Sequence, residues 1–535
     1  MAWKSLARGP RGKLGSIAYA PSVKLLFWVL PIGSLIALWT VLVRLEIYRF
    51  ALLPDPARSL EWGLGFVASP RFVIDTAYST YRVWMAWTAA CVIGIPLGLL
   101  IGWRRTFSLL VFPAMELLRP IPPIAWIPVA ILFFPSVEPS VVFICFLGAF
   151  FPILLNAKTG VEQVNPDYFR AAQCLGASPR KIFRDVVVPG ALPSILTGMA
   201  IGMGIAWMAV VAAEMIAGEF GLGYMIWDSY ALARYPLIVV GMVIIGGLGS
   251  LSSGLIRWAG RRFIRWPPLP GPISAESRHR ARGLARTIVN RAFLLRLCSP
   301  LILVALWYVL VSLPGLRRVP DPPAVFWTVV TLQKGLFLTE AVRSLLRVGA
   351  GFVLAALVGV PLGIVVGYSR TVRSVLFPII EVLRPIPPIA WIPLSILFFV
   401  HVESQIVFLT FYGAFFPITY NTIAGVSGVD ANLIRASRSL GANRWQVFRH
   451  IILPGSLPHI FTGLAVAMGV TWLMVIAAEM IASRGGLGYL TWEAYTTFNY
   501  PLILVGMASI GVIGALSSVL VRLIGRKAMP WRARW

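Results

Sequence analysis

Acidic residues are scarce in this chain. Its 535 residues include only 20 Asp and Glu against 47 Lys and Arg, and charged residues of both signs make up 13%. A soluble domain carries about 25% charged residues to keep its surface hydrated, so a water-soluble fold is excluded. Cysteine and histidine are scarce too. Cys91, Cys145, Cys174 and Cys298 lack the spacing of a metal site; three of the four fall in or near apolar segments, which favours buried or lipid-facing thiols. His279, His401, His450 and His459 form no ligand cluster, so no metal site is expected. No Ser/His/Asp constellation or zinc spacing recurs along the chain, which argues against an intramembrane enzyme. There is also no Gly-x-x-x-x-Gly-Lys-Ser/Thr loop: Gly12-Lys13 is followed by Leu14.

Apolar residues are abundant, at 58% of the chain, and the mean hydropathy is +0.82. Segments near the ~20 residues that cross a bilayer recur at 24–46, 79–103, 108–134, 139–156, 193–217 and 236–258. They recur again at 292–313, 342–368, 374–399, 404–423, 458–482 and 501–524, giving twelve expected spans, with the Pro-broken 108–134 and 374–399 the least regular. The first apolar run is full length and no small-residue cleavage site stands out, so it reads as a retained span rather than a signal peptide.

The net charge of +27 is not spread evenly. Basic residues crowd the N-terminus, the 259–297 junction, the C-terminus, and the turns at Arg104-Arg105 and at Arg370 with Arg373. With six crossings per half these all fall on one side, which places both termini and the junction in the cytoplasm. Anionic lipid headgroups are the expected partners of these arginines, and nucleic acid is not, because no aromatic-basic module accompanies them.

The chain is also written twice. Arg119-Pro-Ile-Pro-Pro-Ile-Ala-Trp-Ile-Pro128 returns letter for letter as Arg384 to Pro393, an interval of 265 residues that also holds between Glu116 and Glu381 and between Gly176 and Gly441. We therefore expect an all-α polytopic membrane protein. It is built of a first module at 1–258 (core 79–258), a basic linker at 259–297 and a second module at 298–535 (core 342–524). An even number of spans per half makes the repeats parallel, related by a pseudo-two-fold axis along the membrane normal, with a path between them.

Three duplicated motifs carry chemistry. Pro120, Pro122, Pro123 and Pro128 cannot share one unbroken helix, and broken helix at membrane depth is tolerated only against protein or a water-filled cavity. Glu116, Arg119, Pro122, Pro123 and Trp126, with Glu381, Arg384, Pro387, Pro388 and Trp391, are therefore expected along the pathway. Each Glu–Arg pair, three residues apart, either neutralises itself at the kink or offers its arginine to an anion. Glu214 and Glu479 end the fifth spans, an unfavourable helix end for a carboxylate, and so need a partner or water; they too are expected along the pathway. Gly223-Tyr224 and Gly488-Tyr489 read as an outer gate of hinge glycines with an aromatic plug, or as interfacial anchors.

The third motif is the longest polar interruption in each half. It is two short basic helices, the first stopped at Gly176 or Gly441, the second at Pro189-Gly190 or Pro454-Gly455. A surface helix resting on headgroups would look the same. Ala171-Ala172 with Gly176 and Pro189, and Ala436 with Gly441 and Pro454, resemble the cytoplasmic loop of permease subunits of bacterial ABC importers. The rest of each half is similar to the sulfonate, taurine, nitrate and bicarbonate branch, on Arg119 to Pro128, Ala212-Ala-Glu-Met-Ile216, Gly221-Leu-Gly-Tyr224 and their copies. One departure is that Arg170 and Arg435 stand where that family usually has an acidic residue.

The resemblance implies a transport component rather than an enzyme, with no bound cofactor of its own. Its loops would dock on two separate ATPase subunits that hold ATP and Mg, and an extracytoplasmic substrate-binding protein would deliver cargo at a bacterial inner membrane. The implied cargo is a small anion such as a sulfonate, nitrate or bicarbonate, although close relatives also carry a heterocyclic vitamin precursor. A carrier driven by an ion gradient, using Glu116 and Glu214 and their copies as coupling carboxylates, is the competing expectation. Copy differences at Glu219/Arg484 and at Pro135-Ser136/Val400-His401 fall on the outer side, where a binding protein would dock.

Overall fold

The computed structural model describes residues 21–46, 53–264, 285–312, 319–332 and 334–531. Among these, every regular element is helical. In a hydrocarbon layer each backbone N–H and C=O must be satisfied within its own segment, and a helix does this without a partner strand. Most of the 259–297 linker and the basic terminal residues lie outside the described residues.

The first half runs through α1 (Pro21–Arg44), α2 (Pro56–Val67), α3 (Pro70–Trp103), α4 (Arg105–Leu118), a 3-10 turn Pro123–Trp126, α5 (Ile127–Phe133) and α6 (Val137–Glu162). It continues through α7 (Pro166–Cys174), α8 (Pro179–Ala217), α9 (Leu222–Ala231) and α10 (Tyr235–Phe263). The second half repeats the series as α11 (Ala285–Val311), α12 (Pro322–Thr331), α13 (Lys334–Tyr368), α14 (Arg370–Leu383), a turn Pro388–Trp391 and α15 (Ile392–Phe398). It closes with α16 (Val402–Ser427), α17 (Ala431–Ser439), α18 (Arg444–Ala482), α19 (Leu487–Thr496) and α20 (Tyr500–Ala528).

Among the described residues, eight helices are long and apolar enough to cross a membrane: α3, α6, α8, α10 and their copies. The expected third span of each half is not straight. It is α4 followed by the turn and α5, bent by 87°, and its copy is bent by 85°. The prolines impose this break, since Pro120, Pro122 and Pro123 donate no backbone N–H to continue α4. The expected first spans correspond to α1 and α11, which contain the shorter apolar stretches Pro31–Arg44 and Cys298–Val311.

Within each half, α6 is clasped between α3 and α8, and α16 between α13 and α18. Small residues allow this approach: a Cβ added at Gly98 of α3 would stand 2.5 Å from the Leu154 carbonyl oxygen of α6, and one at Gly202 of α8 2.9 Å from that of Ala149. Between halves the packing is reciprocal. α1 lies on α14 and α11 on α4, where the Ser299 hydroxyl accepts the Ala114 N–H. The turn Pro123–Trp126 packs on α18, and the turn Pro388–Trp391 on α8. Both Pro-rich breaks therefore lie at the seam between the halves.

Candidate functional site

Three sites can be followed from sequence to geometry, each present twice. The outermost gathers around Glu214, at the end of α8. The carboxylate is wholly buried, and so is Arg82 of α3. The Arg82 Nη1 donates to Glu214 Oε1 at 2.7 Å and to the Phe220 carbonyl at 2.7 Å. Its Nε and Nη2 grip Glu138 at the start of α6, with the Nε contact at 2.8 Å. One guanidinium thus ties three helices and a loop together by charge-assisted bonds.

The same cluster holds a turn. Asp75 accepts the Gly221 N–H at 3.0 Å, the Ser79 hydroxyl accepts the Leu222 N–H at 2.9 Å, and Glu214 accepts the Gly223 N–H at 2.9 Å. Three successive donors that open α9 are satisfied by side chains of α3 and α8. Gly221 sits at φ +117, where a Cβ would overlap the Glu214 carboxylate. Gly223 is needed for close approach instead, because its Cβ would meet the Val211 carbonyl oxygen at 2.6 Å. Tyr224 and Tyr489 are half-buried on α9 and α19, and the Tyr489 hydroxyl donates to Glu493 at 3.4 Å.

The second half repeats the arrangement. Arg347 bonds Glu479 at 2.9 Å and the Gly485 carbonyl at 2.7 Å, and grips Glu403 through Nε at 2.7 Å and Nη2 at 2.5 Å. Ser344 accepts the Leu487 N–H at 2.8 Å, Glu479 accepts that of Gly488 at 2.9 Å, and Glu340 accepts that of Gly486. Gly486 takes φ +106. Glu214 and Glu479 thus lie sealed inside their own halves, pinning the turns before α9 and α19. Arg82, Arg347, Ser79, Ser344, Asp75, Glu340, Glu138 and Glu403 were not among the residues the sequence singled out. Two arginines inside apolar spans at the 265-residue interval were the available signal.

The second site is the pair of Pro-rich breaks at the seam. Pro122, Pro387 and Pro388 are buried, Pro123, Trp126 and Trp391 are half-buried, and Arg119 and Arg384 are exposed. In the second copy Arg384 Nη1 stands 3.5 Å from Glu381, with its guanidinium 4.8 Å over the Tyr420 ring. Trp391 packs on Tyr412 at 5.1 Å, and the Tyr412 hydroxyl donates to the Leu383 carbonyl at 3.2 Å. In the first copy Trp126 meets Phe143 edge-on at 6.3 Å, and Glu116 and Arg119 are not paired.

The third site is the loop between α6 and α8. Asn165 caps α7, its side chain accepting the Asp167 N–H at 2.9 Å, and Pro166 starts the helix. Gly176 ends it at φ +73 and Gly441 ends α17 at φ +85. Arg170 and Arg435 make only exposed contacts, to Asp167 at 3.3 Å and to Asn432 at 2.5 Å. Ala171 and Ala436 are exposed and Ala172 is half-buried. Leu175 and Leu440, which the sequence reading passed over, stand 87% and 89% exposed at the tips. A π turn, Phe183–Val187 or Phe448–Ile452, leads into the half-buried Pro189 or Pro454. Proline cannot continue the i→i−4 ladder, and the wider turn absorbs the missing donor. Glu219, Arg484, Pro135-Ser136 and Val400-His401, where the copies differ, are all exposed.

Comparison with known proteins matches this doubled geometry. The family described as binding-protein-dependent transport system inner membrane component matches twice, over residues 94–265 and 359–530. The nitrate import permease of Synechocystis is 34% identical over 265 residues, covering 48% of this chain and 95% of its own length. The taurine transport system permease of Escherichia coli is 34% identical over 264 residues, 48% of this chain and 96% of its own. The bicarbonate transport system permease of Synechococcus elongatus is 37% identical over 192 residues, 36% of this chain and 69% of its own. Each of these relatives is a transport subunit that corresponds to one half. The chain therefore belongs to the inner-membrane permease components of binding-protein-dependent ABC transport systems, as a tandem fusion of two permease modules.

Proposed function

We propose that this chain is the complete membrane-spanning core of an ATP-driven importer of a small anion, its two fused halves exposing the path between them to each side in turn. The observation that carries the reading is the doubled loop, with its bare Leu175 and Leu440. An exposed aliphatic tip at each of two equivalent positions of a loop that resembles the ATPase-docking loop of the family supports a docking role for both loops. Two separate ATPase subunits fit it, since the sequence reading finds no phosphate-binding loop of this chain's own. ATP and Mg belong to those subunits. Their closure would draw the two loops together and rock the halves about the seam.

We read the loops, both termini and the junction as cytoplasmic, a reading that the basic turns support, at a plasma membrane whose anionic headgroups would meet the arginines. A substrate-binding protein would then dock outside, on a face made asymmetric by Glu219 against Arg484. Nitrate, taurine and bicarbonate are named for the relatives; for this chain the class we propose is a small oxyanion, a sulfonate first. Purification through a tag on this chain tests the reading. One copy of the chain with two ATPase subunits, and uptake that stops when ATP is removed, is expected. The chain alone, with uptake that survives ATP depletion and collapses with the ion gradient, would replace it with a gradient-driven carrier.

A further inference from the structure

The two Pro-rich breaks are identical in sequence and different in surroundings. α4 begins at Arg105, beside the basic turn, and its 14 residues climb about 21 Å at 1.5 Å per residue. With α4 running along the membrane normal from that turn, Arg119 would stand about two thirds of the way across a ~30 Å hydrocarbon layer. Pro120 and Ile121 then meet the other half. A Cβ added at Gly511 of α20 would lie 2.7 Å from Ile121, and one at Gly514 3.7 Å from the Pro120 carbonyl oxygen. Gly246 of α10 faces Ile386 in the same way at 3.3 Å, so both arginines flank the seam.

Arg384 is held. Glu381 stands 3.5 Å from it, the Tyr420 ring lies under its guanidinium, and Tyr412 bonds the carbonyl just before it. The positions equivalent to Tyr412 and Tyr420 on α6 are Leu147 and Leu155, which offer neither a hydroxyl nor an aromatic face. Arg119 accordingly has no hydrogen-bond, ion-pair or ring partner among the described residues, and its side chain is exposed. A guanidinium at this depth is costly unless something neutralises it. Both arginines follow helix C-termini, so the helix dipole acts on both alike and does not explain the difference.

We infer that Arg119 is the anion-recognising cation of the pathway, a single free guanidinium at the seam that takes one small oxyanion, while Arg384 is its immobilised copy. This rests on the anion-importer reading for its role in transport, but not for binding. A planar guanidinium donates two parallel bonds to a carboxylate-like or sulfonate-like edge. One such site rather than two means that one anion crosses per cycle.

Two measurements on the full chain test it. In nanodiscs of neutral lipid, phenylglyoxal modifies free guanidinium groups, and peptide mass spectrometry reads each site. Arg119 is expected to react at least tenfold faster than Arg384. Nitrate, bicarbonate or methanesulfonate should slow it severalfold against gluconate, with no effect at Arg384. Equal reactivity, or no protection by any of the three anions, overturns the site. In proteoliposomes with ATPase and binding protein, R119Q should cut uptake of the labelled anion about 10- to 100-fold, the span expected for losing a charge-assisted bond. R119K should recover part of the loss, and R384Q should change uptake less than threefold. Protection of Arg119 without uptake of any probe would overturn the importer and keep the site. Uptake by R119Q at the wild-type rate would overturn the site and keep the importer.

Discussion

Replacing Arg82 by methionine is the most direct test of what holds the outer end of each half. The guanidinium is wholly buried and satisfies two carboxylates and the Phe220 carbonyl at once. Methionine fills a similar volume and leaves Glu214, also wholly buried, with only the Ser79 hydroxyl and the Gly223 N–H. Removing one member of a buried pair costs about 3–5 kcal/mol, because the remaining charge is uncompensated. For a cooperative unit of about 150–250 residues each kcal/mol lowers Tm by about 2–4 °C, so R82M should melt about 6–20 °C below wild type in detergent. Glu138 is 45% exposed at its side chain, and E138Q leaves the buried Arg82 still paired with Glu214 and still able to donate to the new amide oxygen, so it should lower Tm less than R82M does.

The double variant R82M/E214L separates charge from architecture. Replacing both buried charges by apolar groups is often neutral, so most of the lost Tm should return. The Gly223 N–H would still lack its acceptor, the turn before α9 would be loosened, and transport should stay low. An R82M protein melting within 2 °C of wild type would refute the reasoning, as would a double variant that regains full transport.

Further outcomes follow from other parts of the molecule. G221A forces a Cβ into the Glu214 carboxylate at φ +117, where alanine is strained as well; it should lower Tm by several degrees in the same melt, and G486A should behave alike. L175E with L440E should leave Tm within 2 °C of wild type, because both side chains are exposed, and should reduce ATPase co-purification at least tenfold. Cys174 is exposed on the loop between α6 and α8 and Cys145 is buried, so a membrane-impermeant maleimide should label Cys174 only from the cytoplasmic side and leave Cys145 unmodified; bound ATPase should protect Cys174.

Much of this was legible in the sequence because lipid simplifies the code. Apolar length gave the eight long spans of the twelve expected, the 265-residue interval gave the two modules, and the clustered prolines of 119–128 gave the break. Its 87° angle was not readable, since proline removes donors without fixing where the chain turns next. The reciprocal placement of α1 on α14 and α11 on α4 was hidden as well. Lipid tails are as apolar as leucine, so hydropathy says that a helix is immersed and nothing about which neighbour it meets. Glu214 announced its need for a partner by standing at a helix C-terminus. The partner, Arg82, lies 132 residues away in the middle of an apolar span, where its recurrence as Arg347 was the one clue.

The comparison of the two halves also shows what fusion makes possible. Their Glu214 and Glu479 pins match residue for residue apart from Asp75/Glu340 and Phe220/Gly485, the latter pair contributing only a backbone carbonyl, as expected of parts with the same mechanical task in each half. The clamps on the seam arginines do not match. In a pair of identical subunits a tyrosine at position 420 would also stand at its symmetry mate, and both guanidinium groups would be held. A fused chain carries the substitution once and keeps one arginine free. L155Y writes the missing ring into the first half beneath Arg119. If the free guanidinium is what the anion meets, L155Y should depress uptake severalfold while leaving ATPase binding intact, and the added Y420L, which releases Arg384 in exchange, should restore part of it. Uptake unchanged in L155Y would show that the tyrosine is packing alone, and the asymmetry at the seam would then have no bearing on the cargo.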